Sequence, residues 1–544
     1  MSAAARLRRL DESASIIVLE RGSHVSFANC GLPYYVGGEI ADERALVLQT
    51  PQSLAASLNL DVRLNHAVTG LDAAAHQVSV ETPNGTEQLS YDALVLSPGA
   101  LPFIPPIPGA DHPKVLTLRT IEDAKALRDL AVGGATRAVV LGAGFIGCEA
   151  AEALAHRGLE VDLVEAAPHV LPPLEVELAW LAAQEMRRLG MTVREGVAAS
   201  AITDRDGRLE VELSNQTTIQ ADLVVMAVGG TPDTAVFEAA GLNCDRRYVV
   251  VDTHGRTNLP DVYAVGDATL STDAITGQLR PVQLAGPANR AGRLVADVIA
   301  RPGQARPIPR PLATAIVRIG ELTVAMTGAN RAALTQAGQA FTTIHTHPMN
   351  HAGYFPGATP IHLMVHIDPT SGQILGAQAV GEDGVDKRID VLATAIRGGL
   401  AAPDLIDLDL CYSPPYGSAK DPVTMIGLIA DNLATGQTKL WQPEQLAWAR
   451  SDEALLLDVR TTTEFDSGHL PEAHNIPHTQ LRARLEEVRS LAAGRPVAVI
   501  CQSGVRSYIA HRILIAAGFD SATFSGGMLT LRAWLGASAD EVLV

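Results

Sequence analysis

The sequence of 544 residues lacks a long apolar run, has little cysteine and carries fewer basic than acidic side chains. No segment approaches the roughly 18 consecutive apolar residues of a membrane helix, so a membrane-spanning protein is excluded. The five cysteines are odd in number and form no CxxC pair, which excludes a disulfide-stapled secreted scaffold. Lys and Arg total 42 against 60 Asp and Glu, a net charge of −18, which argues against nucleic acid as the main partner. The N-terminus lacks the apolar core of a signal peptide, so we expect a cytoplasmic protein.

What remains is a globular composition, with 47% hydrophobic and 19% charged residues. At about 100–200 residues per domain, this length predicts three to four domains. The Pro-rich stretch 301–311 and the segment 437–443 are typical of domain boundaries. Between them, strand patterns alternate with helices, which indicates an α+β domain.

The first residues predict only part of a nucleotide-binding unit. Residues Met1–Asp11 predict a helix, and the apolar run Ile16–Glu20 predicts a buried strand that ends in an acid. A helix followed by an acid-ended strand is the second half of a βαβ unit. We therefore expect a first strand and its glycine turn to lie upstream.

A second nucleotide-binding unit is complete. Residues Ala138–Leu141 predict a strand, GAGFIG follows, and a helix leads to the strand Val161–Glu165, whose acid comes 18 residues after the last glycine. This order indicates a dinucleotide site. Gly142 permits the tight turn, Gly144 lets a pyrophosphate approach the backbone, and Gly147 packs the helix against the strand. The acid is expected to bind the adenosine ribose 2′-hydroxyl and to favour NADH over NADPH.

Cys30 lies in SFANCGLPYY, after a strand and loop and just before a helix. A thiol at a helix N-terminus has its thiolate stabilised by backbone N–H groups and by the helix dipole. No second cysteine lies four or five residues away, so a local disulfide is excluded. Cys30 is therefore expected to cycle through a thiolate and either a mixed disulfide or a sulfenic acid.

The order of these features resembles the pyridine nucleotide-disulfide oxidoreductase family over about residues 1–436. The resemblance rests on SFANCGLPYY, LVLSPGALP, VVLGAGFIGCE, DVYAVGD, HAGYFPGA and YSPPYGSAKDP. These motifs are similar to those of the single-cysteine branch, which contains coenzyme A-disulfide reductases, NADH oxidases and peroxidases. The resemblance implies FAD beside the cysteine and a nicotinamide stacked on the opposite face of the flavin.

The resemblance also implies a set of cofactor-binding residues. Glu20 is expected to hold the FAD adenosine ribose, Asp267 the ribityl chain, and the loop at Leu284 the flavin pyrimidine. The set implied for FAD and NADH is Glu20, Ser97, Gly99, Gly142, Gly144, Gly147, Glu165, Gly229, Asp267, Leu284 and Ala285. Family members have a strand and GGxxGG ahead of the position of Ser2, so we expect this chain to be N-terminally truncated and its FAD binding to be impaired.

Residues that act on the substrate are implied in the same way. Tyr412 is expected to reach across a homodimer interface to the partner's flavin and cysteine, with Tyr354 as a second such tyrosine. Positions that match coenzyme A-binding residues of the disulfide reductases are Ser2, Arg6, Arg9, Ser26, Asn29 and Lys420. The N-terminal basic side chains, which include Arg8, suit the phosphates of coenzyme A. Asn289 stands where a reductase of that group has histidine, so that contact is not carried over.

The last hundred residues carry a second resemblance. LLLDVRTTTEFDSGHLPEAHNIP, VAVICQSGVRSYIAHRILIAAGF and FSGGM are similar to the rhodanese family. Cys501 opens the loop CQSGVR, whose N–H groups and following helix favour a thiolate and then a persulfide anion. Arg506 closes the loop and is expected to add positive charge. The matching framework residues are Asp458, Arg460, Glu464, Gly468, His469, Ala473, Asn475 and Pro477.

The other cysteines and a group of histidines are assigned structural roles. The cysteines predicted to be structural are Cys148, Cys244 and Cys411, the last of them in the core. The histidines His345, His347 and His351 have no cysteine or carboxylate that completes a metal set, so no metal is predicted.

Together these features predict an α/β protein with two Rossmann-like nucleotide-binding domains (FAD and NAD), an α+β dimerisation domain and a C-terminal α/β rhodanese domain. The predicted boundaries are 1–130 and 251–310 for the two parts of the FAD-binding domain, 131–250 for the NAD-binding domain, 311–436 for the dimerisation domain and 441–544 for the rhodanese domain.

The predicted function is NADH-dependent, FAD-mediated reduction of an S–S bond through Cys30, coupled to sulfur transfer by Cys501. The predicted substrates are coenzyme A disulfide, low-molecular-weight persulfides and polysulfides. Two alternatives stay open. One is an NADH oxidase or peroxidase in which Cys30 cycles through a sulfenic acid. The other is a flavin-free sulfur carrier or sensor in which only Cys501 is active.

Overall fold

The computed structural model of the protein describes all 544 residues, which form two compact units. The first unit comprises residues 1–168 and 187–313, and the second comprises residues 169–186 and 314–544. None of the helices has the length and the apolar stretch that crossing a membrane requires.

The first unit contains a five-stranded parallel sheet. Its strands lie in the spatial order Val115–Leu116, Leu223–Met226, Arg137–Leu141, Glu160–Val164 and Thr192–Arg194. Val139, Val224 and Leu163 in this sheet are fully buried, as expected for parallel strands covered on both faces. The helix Phe145–His156 connects two neighbouring strands, so the complete βαβ unit predicted from the sequence is confirmed.

The N-terminal part of this unit is built on two separate parallel strand pairs. Ile17–Glu20 pairs with Asp61–Leu64, and Leu94–Leu96 pairs with Val262–Ala264. The strand predicted at 16–20 is therefore present, with shorter bounds, and the motif DVYAVGD contains the strand Val262–Ala264. The predicted N-terminal helix is also confirmed, at Ser2–Leu10, where it packs against the helix that begins at Ala285.

Smaller elements complete the first unit. Its other helices are Leu32–Gly37, Pro51–Leu58, Ile121–Val132, Ala235–Ala239 and Ala285–Ala300. Two three-stranded antiparallel sheets are formed by Ala67–Asp72, Gln77–Thr82 and Gly85–Ser90, and by Ala199–Arg205, Arg208–Leu213 and Thr218–Ala221. Short antiparallel pairs join Ser26–Phe27 to Val47–Gln49, Ala100–Pro102 to Gly230–Pro232, Cys244–Asp245 to Tyr248–Val249, and Leu270–Thr272 to Leu279–Pro281.

The second unit contains one antiparallel and one parallel sheet. The antiparallel sheet has the order Ala315–Ile319, Leu322–Gly328, Ile374–Gly381, Ile361–Ile367 and Thr342–Thr346. Its helices are Val176–Arg188, Arg331–Gln336, Val385–Gly398 and Pro422–Ala434. Burial of Ile361, Leu363 and Val365 against the helix Val385–Gly398 gives this α+β part its core.

The parallel sheet lies in the C-terminal hundred residues. Its order is Leu440–Trp441, Ser521–Phe524, Val497–Ile500, Leu455–Asp458 and His474–Asn475. The helices around it are Leu446–Ala449, Thr462–Asp466, Leu485–Ala492, Val505–Ala516, Gly527–Leu535 and Ala539–Val542. Buried residues lie on both faces of the sheet, and the loop that follows its central strand opens with Cys501.

Candidate active sites

The glycine loop of the five-stranded sheet has the shape of a dinucleotide cradle. Gly142 has φ of +93°, and a Cβ there would come within 2.5 Å of the Ala227 carbonyl oxygen. A Cβ on Gly147 would overlap the carbonyl of Gly142, so helix and strand approach too closely for any side chain. Gly144, in contrast, faces open space, as a loop that receives a pyrophosphate requires. The residues present therefore fit a pyridine dinucleotide.

Glu165 lies directly after the strand Glu160–Val164 and faces this loop. Its Oε2 accepts a hydrogen bond from the Ala143 backbone N–H (2.6 Å), and its Oε1 accepts one from the Ala167 N–H (2.7 Å). These bonds hold the carboxylate at the rim of the cradle. The nearby cation Arg194 is paired with Asp162 at 2.8 Å, on the preceding strand.

Cys30 lies where the sequence predicted it, in a single 3₁₀ turn that leads into the helix Leu32–Gly37. Its side chain is exposed, and all five cysteines are free thiols. The helix after Cys30 packs on the dinucleotide helix, where Gly37 meets Ala153. Arg157 secures the same contact through a 2.8 Å bond to the Val36 carbonyl. The thiol and the dinucleotide loop are therefore held by adjoining helices.

Ser97 and Asp267, two of the residues predicted to bind a flavin, follow paired strands and lie close together. The Asp267 carboxyl is half-buried and receives no hydrogen bond from the protein, and burial raises its pKa although Arg119 partly opposes the effect. Ser97 Oγ lies beside Gly266, and the Glu20 carboxylate accepts the Gly22 N–H at 2.7 Å. A secluded carboxylate without a partner is suited to a ligand hydroxyl, so these residues fit the ribityl and ribose groups of a flavin nucleotide.

Arg119 was not identified from the sequence. Its guanidinium lies 3.2 Å from the position of a Cβ on Gly99. With the Asn29 amide oriented to satisfy its neighbours, Asn29 accepts a bond from Arg119 at 3.2 Å. Arg119 thus lies beside the Gly99 loop and binds Asn29, the residue before Cys30, and its positive charge also acts on Asp267. An isolated Arg in TLRT carries no motif, so only the fold brings out its position.

The other predicted cofactor residues lie at chain turns. Gly99 and Gly229 have φ of +68° and +108°, a region that favours glycine. The Gly229 carbonyl accepts the Phe103 N–H at 2.9 Å. Leu284 precedes the helix that starts at Ala285, and no side chain caps the start of this helix.

Some of the residues implied for coenzyme A already have hydrogen-bond or ion-pair partners within the protein. Arg6 pairs with Asp297 (2.7 Å), and Ser2 hydrogen-bonds Asn289. Arg9 is exposed and Ser26 is half-buried. The expectation for Arg8 is wrong, because this residue is 3% exposed and its guanidinium donates to the carbonyls of Leu58, Asn59, Asp11 and Glu12. Arg8 therefore clamps the N-terminal helix to the chain beneath it and does not face a ligand.

Tyr354 and Tyr412 come together in the second unit, as the sequence paired them. Their hydroxyls hydrogen-bond each other, and this bond raises the pKa of Tyr354. Both rings are largely exposed, as is Lys420. Cys411 is also exposed, so its predicted burial in the core is wrong; Cys148 is buried as predicted.

The Cys501 loop follows the buried strand Val497–Ile500. Sγ accepts a hydrogen bond from the Gly504 N–H (3.2 Å), and the helix Val505–Ala516 starts directly after it. The loop is fixed from behind, because the Met528 N–H donates to the Cys501 carbonyl at 2.8 Å. A Cβ on Gly527 would come within 2.5 Å of that carbonyl oxygen. This geometry suits a sulfur anion.

Arg506 closes the loop, but its charge is largely taken up by a carboxylate. Its two terminal nitrogens donate to Glu464 at 2.7 and 2.6 Å, and these bonds lower the pKa of Glu464 to about 2. The expected positive charge is thus present but paired. Deeper in the fold, Arg460 pairs with Asp458 at 2.6 Å and donates to the Gly468 carbonyl, which explains why these residues accompany the cysteine.

The histidine group contacts a carboxylate that is distant in sequence. His345 Nε2 lies 2.8 Å from Glu177, and its Nδ1 lies 2.8 Å from Ser525 Oγ, just before the glycine pair behind Cys501. Burial opposes ionisation of Glu177, but hydrogen bonds from His345 and Arg331 outweigh burial and lower its pKa. This network anchors the parallel sheet to the antiparallel part of the second unit. His347 bonds His362 and Thr530 instead.

Comparison with known protein families assigns both halves of the chain. Residues 1–291 match the model of the pyridine nucleotide-disulphide oxidoreductases, residues 314–422 that of their dimerisation domain, and residues 442–532 that of rhodanese-like domains. The protein belongs to the pyridine nucleotide-disulfide oxidoreductase family and ends in a rhodanese-like domain. It is therefore an oxidoreductase of a family that binds a flavin and a pyridine nucleotide, and the predicted fold class is confirmed.

Three similar proteins have the same domains or part of them. Coenzyme A disulfide reductase of Staphylococcus aureus is 31% identical over 433 residues, which cover 78% of this chain and 95% of that protein. The crystal structure of reduced Bacillus anthracis CoADR-RHD is 37% identical, with a TM-score of 0.95 over 100% of this chain and 97% of that one. A NAD-dependent persulfide reductase from A. fulgidus is 34% identical, with a TM-score of 0.89 over 97% of both chains.

Proposed function

We propose that the protein is an NADH-dependent, FAD-mediated reductase of coenzyme A disulfide and of small persulfides or polysulfides, coupled to sulfur transfer at Cys501. The observation that carries the proposal is the setting of Cys30, an exposed thiol without a disulfide partner, on a helix that packs against the dinucleotide helix. The similar proteins named above act on such sulfur compounds. The five free thiols suit a reducing cytoplasm.

The chemistry at Cys30 is thiol–disulfide exchange. The Cys30 thiolate attacks one sulfur of the substrate, the S–S bond breaks, one thiolate leaves, and a mixed disulfide with Cys30 remains. A flavin held by residues such as Ser97 and Asp267 would supply the two electrons, drawn from NADH, that reduction of this mixed disulfide requires. The second thiolate then leaves and Cys30 is regenerated. A persulfide substrate yields a thiol and sulfide by the same sequence.

A direct assay tests the proposal. Purified protein, supplied with FAD because its FAD binding is expected to be impaired, should oxidise NADH in the presence of coenzyme A disulfide or coenzyme A persulfide, and the flavin that it retains should chromatograph as FAD. Anaerobic assays separate this reaction from an NADH oxidase, which needs oxygen. NADH oxidation that requires oxygen and ignores both sulfur substrates would contradict the proposal.

The nucleotide preference follows from Glu165. Its carboxylate is fixed at the rim of the glycine loop, where it accepts bonds from a ribose 2′-hydroxyl and repels a 2′-phosphate. We expect kcat/KM to be at least about tenfold higher with NADH than with NADPH, and Glu165→Ala to remove most of the difference. Glu160→Ala, at the exposed start of the same strand, is the matched control and should leave the preference intact. Equal values for the two nucleotides in the unmodified protein would disprove the assignment.

Assembly as a homodimer belongs to the same proposal. The 314–422 segment matches a dimerisation domain, and an exposed group of large side chains lies within it. This group comprises Met349, Tyr354, Phe355, Tyr412 and Tyr416. Covering such a group by a second copy brings Tyr412 to the partner's Cys30, as the family resemblance implies.

Tyr412→Phe should reduce kcat about tenfold while the dimer stays intact. The exposed Tyr412 hydroxyl can donate a hydrogen bond to a sulfur anion of the partner, and such a bond contributes roughly 1.4 kcal/mol, one decade in rate. Tyr416→Phe, on the same exposed segment, should be silent. Stopped-flow rates and light scattering provide the two measurements. A normal kcat for Tyr412→Phe, or a fully active monomer, would refute the shared site.

A further inference from the structure

Two buried hydroxyl groups lie behind the sulfur of Cys501. Ser507 Oγ lies 3.3 Å from Sγ, and Thr523 Oγ1 lies 2.8 Å from Ser507 Oγ. Ser507 belongs to the first turn of the helix after the loop, and Thr523 belongs to the neighbouring strand Ser521–Phe524. The three side chains are between 0% and 3% exposed, so water does not compete for these bonds.

The direction of this hydrogen-bond chain is fixed by its far end. Thr523 Oγ1 has Ser507 as its only hydrogen-bond partner, so its proton is committed to Ser507. Ser507 in turn donates to the Gly504 carbonyl at 3.0 Å and accepts from the Cys501 thiol. A hydroxyl has one proton and two acceptor sites. The proton and both acceptor sites of the Ser507 hydroxyl are therefore occupied while Cys501 is a thiol.

When Cys501 loses its thiol proton, the strongest hydrogen-bond acceptor available to the Ser507 hydroxyl changes. The sulfur then only accepts, and a hydrogen bond to an anion is about twice as strong as one to a neutral carbonyl. We propose that Ser507 is a catalytic residue of sulfur transfer, which turns its hydroxyl proton from the Gly504 carbonyl to the Cys501 thiolate, and that Thr523 is the positioning residue that holds Ser507 in place. The inference rests on the proposed sulfur-transfer role of Cys501.

Ser507 can serve both half-reactions because it touches Sγ from the buried side. In the first, the thiolate attacks the outer sulfur of thiosulfate, the S–S bond breaks, sulfite leaves, and Cys501 becomes a persulfide. In the second, cyanide attacks the outer sulfur, thiocyanate leaves, and Sγ departs as the thiolate. The negative charge is on Sγ before the first step and after the second, and Ser507 is never displaced by substrate.

The test combines a titration with an assay, both in the full chain. Thiolate formation is followed at 240 nm against pH, with the Cys501→Ser protein subtracted so that the other thiols cancel. Thiosulfate:cyanide sulfur transfer is measured on the same samples. The charged groups around the sulfur, which are Arg506, Glu464 and the Asp458–Arg460 pair, are unchanged in every variant.

We expect Ser507→Ala to raise the pH of half-titration by about one unit and to lower kcat/KM at pH 7 about tenfold. Thr523→Val should also raise the pH of half-titration and should lower kcat/KM at pH 7 about threefold. Thr523→Ser, which keeps the hydroxyl, should restore both quantities. Ser521→Ala is the matched control, because Ser521 is buried on the same strand and its hydroxyl has no partner.

The outcomes separate the two claims. If Cys501→Ser retains sulfur transfer, the proposed function of the domain fails. If Cys501→Ser is inactive but Ser507→Ala and Thr523→Val titrate and react normally, with only a lower melting temperature, the hydroxyl pair is structural and the inference is overturned. If Ser507→Ala does not fold, the Thr523→Val and Thr523→Ser pair decides.

Discussion

Replacing Cys30 with serine should lower NADH-linked reduction of coenzyme A disulfide or persulfide about a thousandfold or more, while sulfur transfer from thiosulfate stays within about twofold. A serine hydroxyl does not ionise near neutral pH and cannot form a mixed disulfide, so the S–S bond of the substrate is not attacked. Sulfur transfer survives because Cys501 lies in a separate sheet with its own loop and helix.

Cys411→Ser is the matched control for this experiment. Cys411 is the other exposed cysteine, so it tests whether loss of any accessible thiol has the same effect. The control should keep full reductase activity. Undiminished NADH-linked reduction by Cys30→Ser would remove the thiol from the mechanism. Loss of sulfur reduction together with retained, oxygen-dependent NADH oxidation would instead reveal a separate flavin oxidase activity.

The local structure around the two glycine-containing loops could be predicted from the sequence. GAGFIG gives a glycine loop between strand and helix, and CQSGVR gives a loop on which Gly504 donates to Cys501. In each case the motif, the strand before it and the helix after it form one local unit. A local unit fixes its own geometry, so a pattern in the sequence is enough to find it.

Residues that enter a site from another element escaped the sequence analysis. Thr523 is 16 residues from Ser507, and Glu177 is 168 residues from His345, yet each pair is hydrogen-bonded. Single Ser, Thr or Glu residues carry no signal at such separations. They become visible only when strand order and helix packing are known.

Charge patterns misled the prediction in a related way. Arg8 has the spacing of a ligand-facing residue, but four backbone carbonyls occupy its donors. Arg506 is near the predicted thiolate, but Glu464 takes two of its hydrogen bonds. The sequence shows that a charge is present, whereas its availability depends on partners that only the fold supplies.

The two thiols to which the proposed function assigns reactions differ in exposure, and this difference bears on which reaction each can carry out. Cys30 is exposed. A thiol that exchanges with a bulky disulfide, such as coenzyme A disulfide, must be accessible in this way. Cys501 is fully buried at the start of a loop, so a small outer sulfur atom reaches it more readily than a bulky disulfide does. The exposed thiol suits bond exchange with large substrates, and the buried one suits transfer of a single sulfur.

Cys501→Ser should therefore abolish thiosulfate:cyanide sulfur transfer, a loss of about a thousandfold or more, and leave reduction of coenzyme A disulfide within about twofold. The loop cannot compensate, because the Gly504 N–H and the hydroxyl of Ser507 act on the sulfur anion that serine does not form. Val505→Ala, an exposed change on the same loop, should be silent and serves as the control.

Persulfide turnover in the same variant reports whether the two halves cooperate. A substrate reduced wholly at Cys30 is turned over at the normal rate by Cys501→Ser. If Cys501 receives or delivers the outer sulfur, persulfide reduction falls while reduction of coenzyme A disulfide, which has no such sulfur, does not. We expect this selective fall, measured as the ratio of the two kcat/KM values. An equal loss with both substrates would point to damage of the fold, and no loss with either would leave the rhodanese-like domain without a part in the reduction.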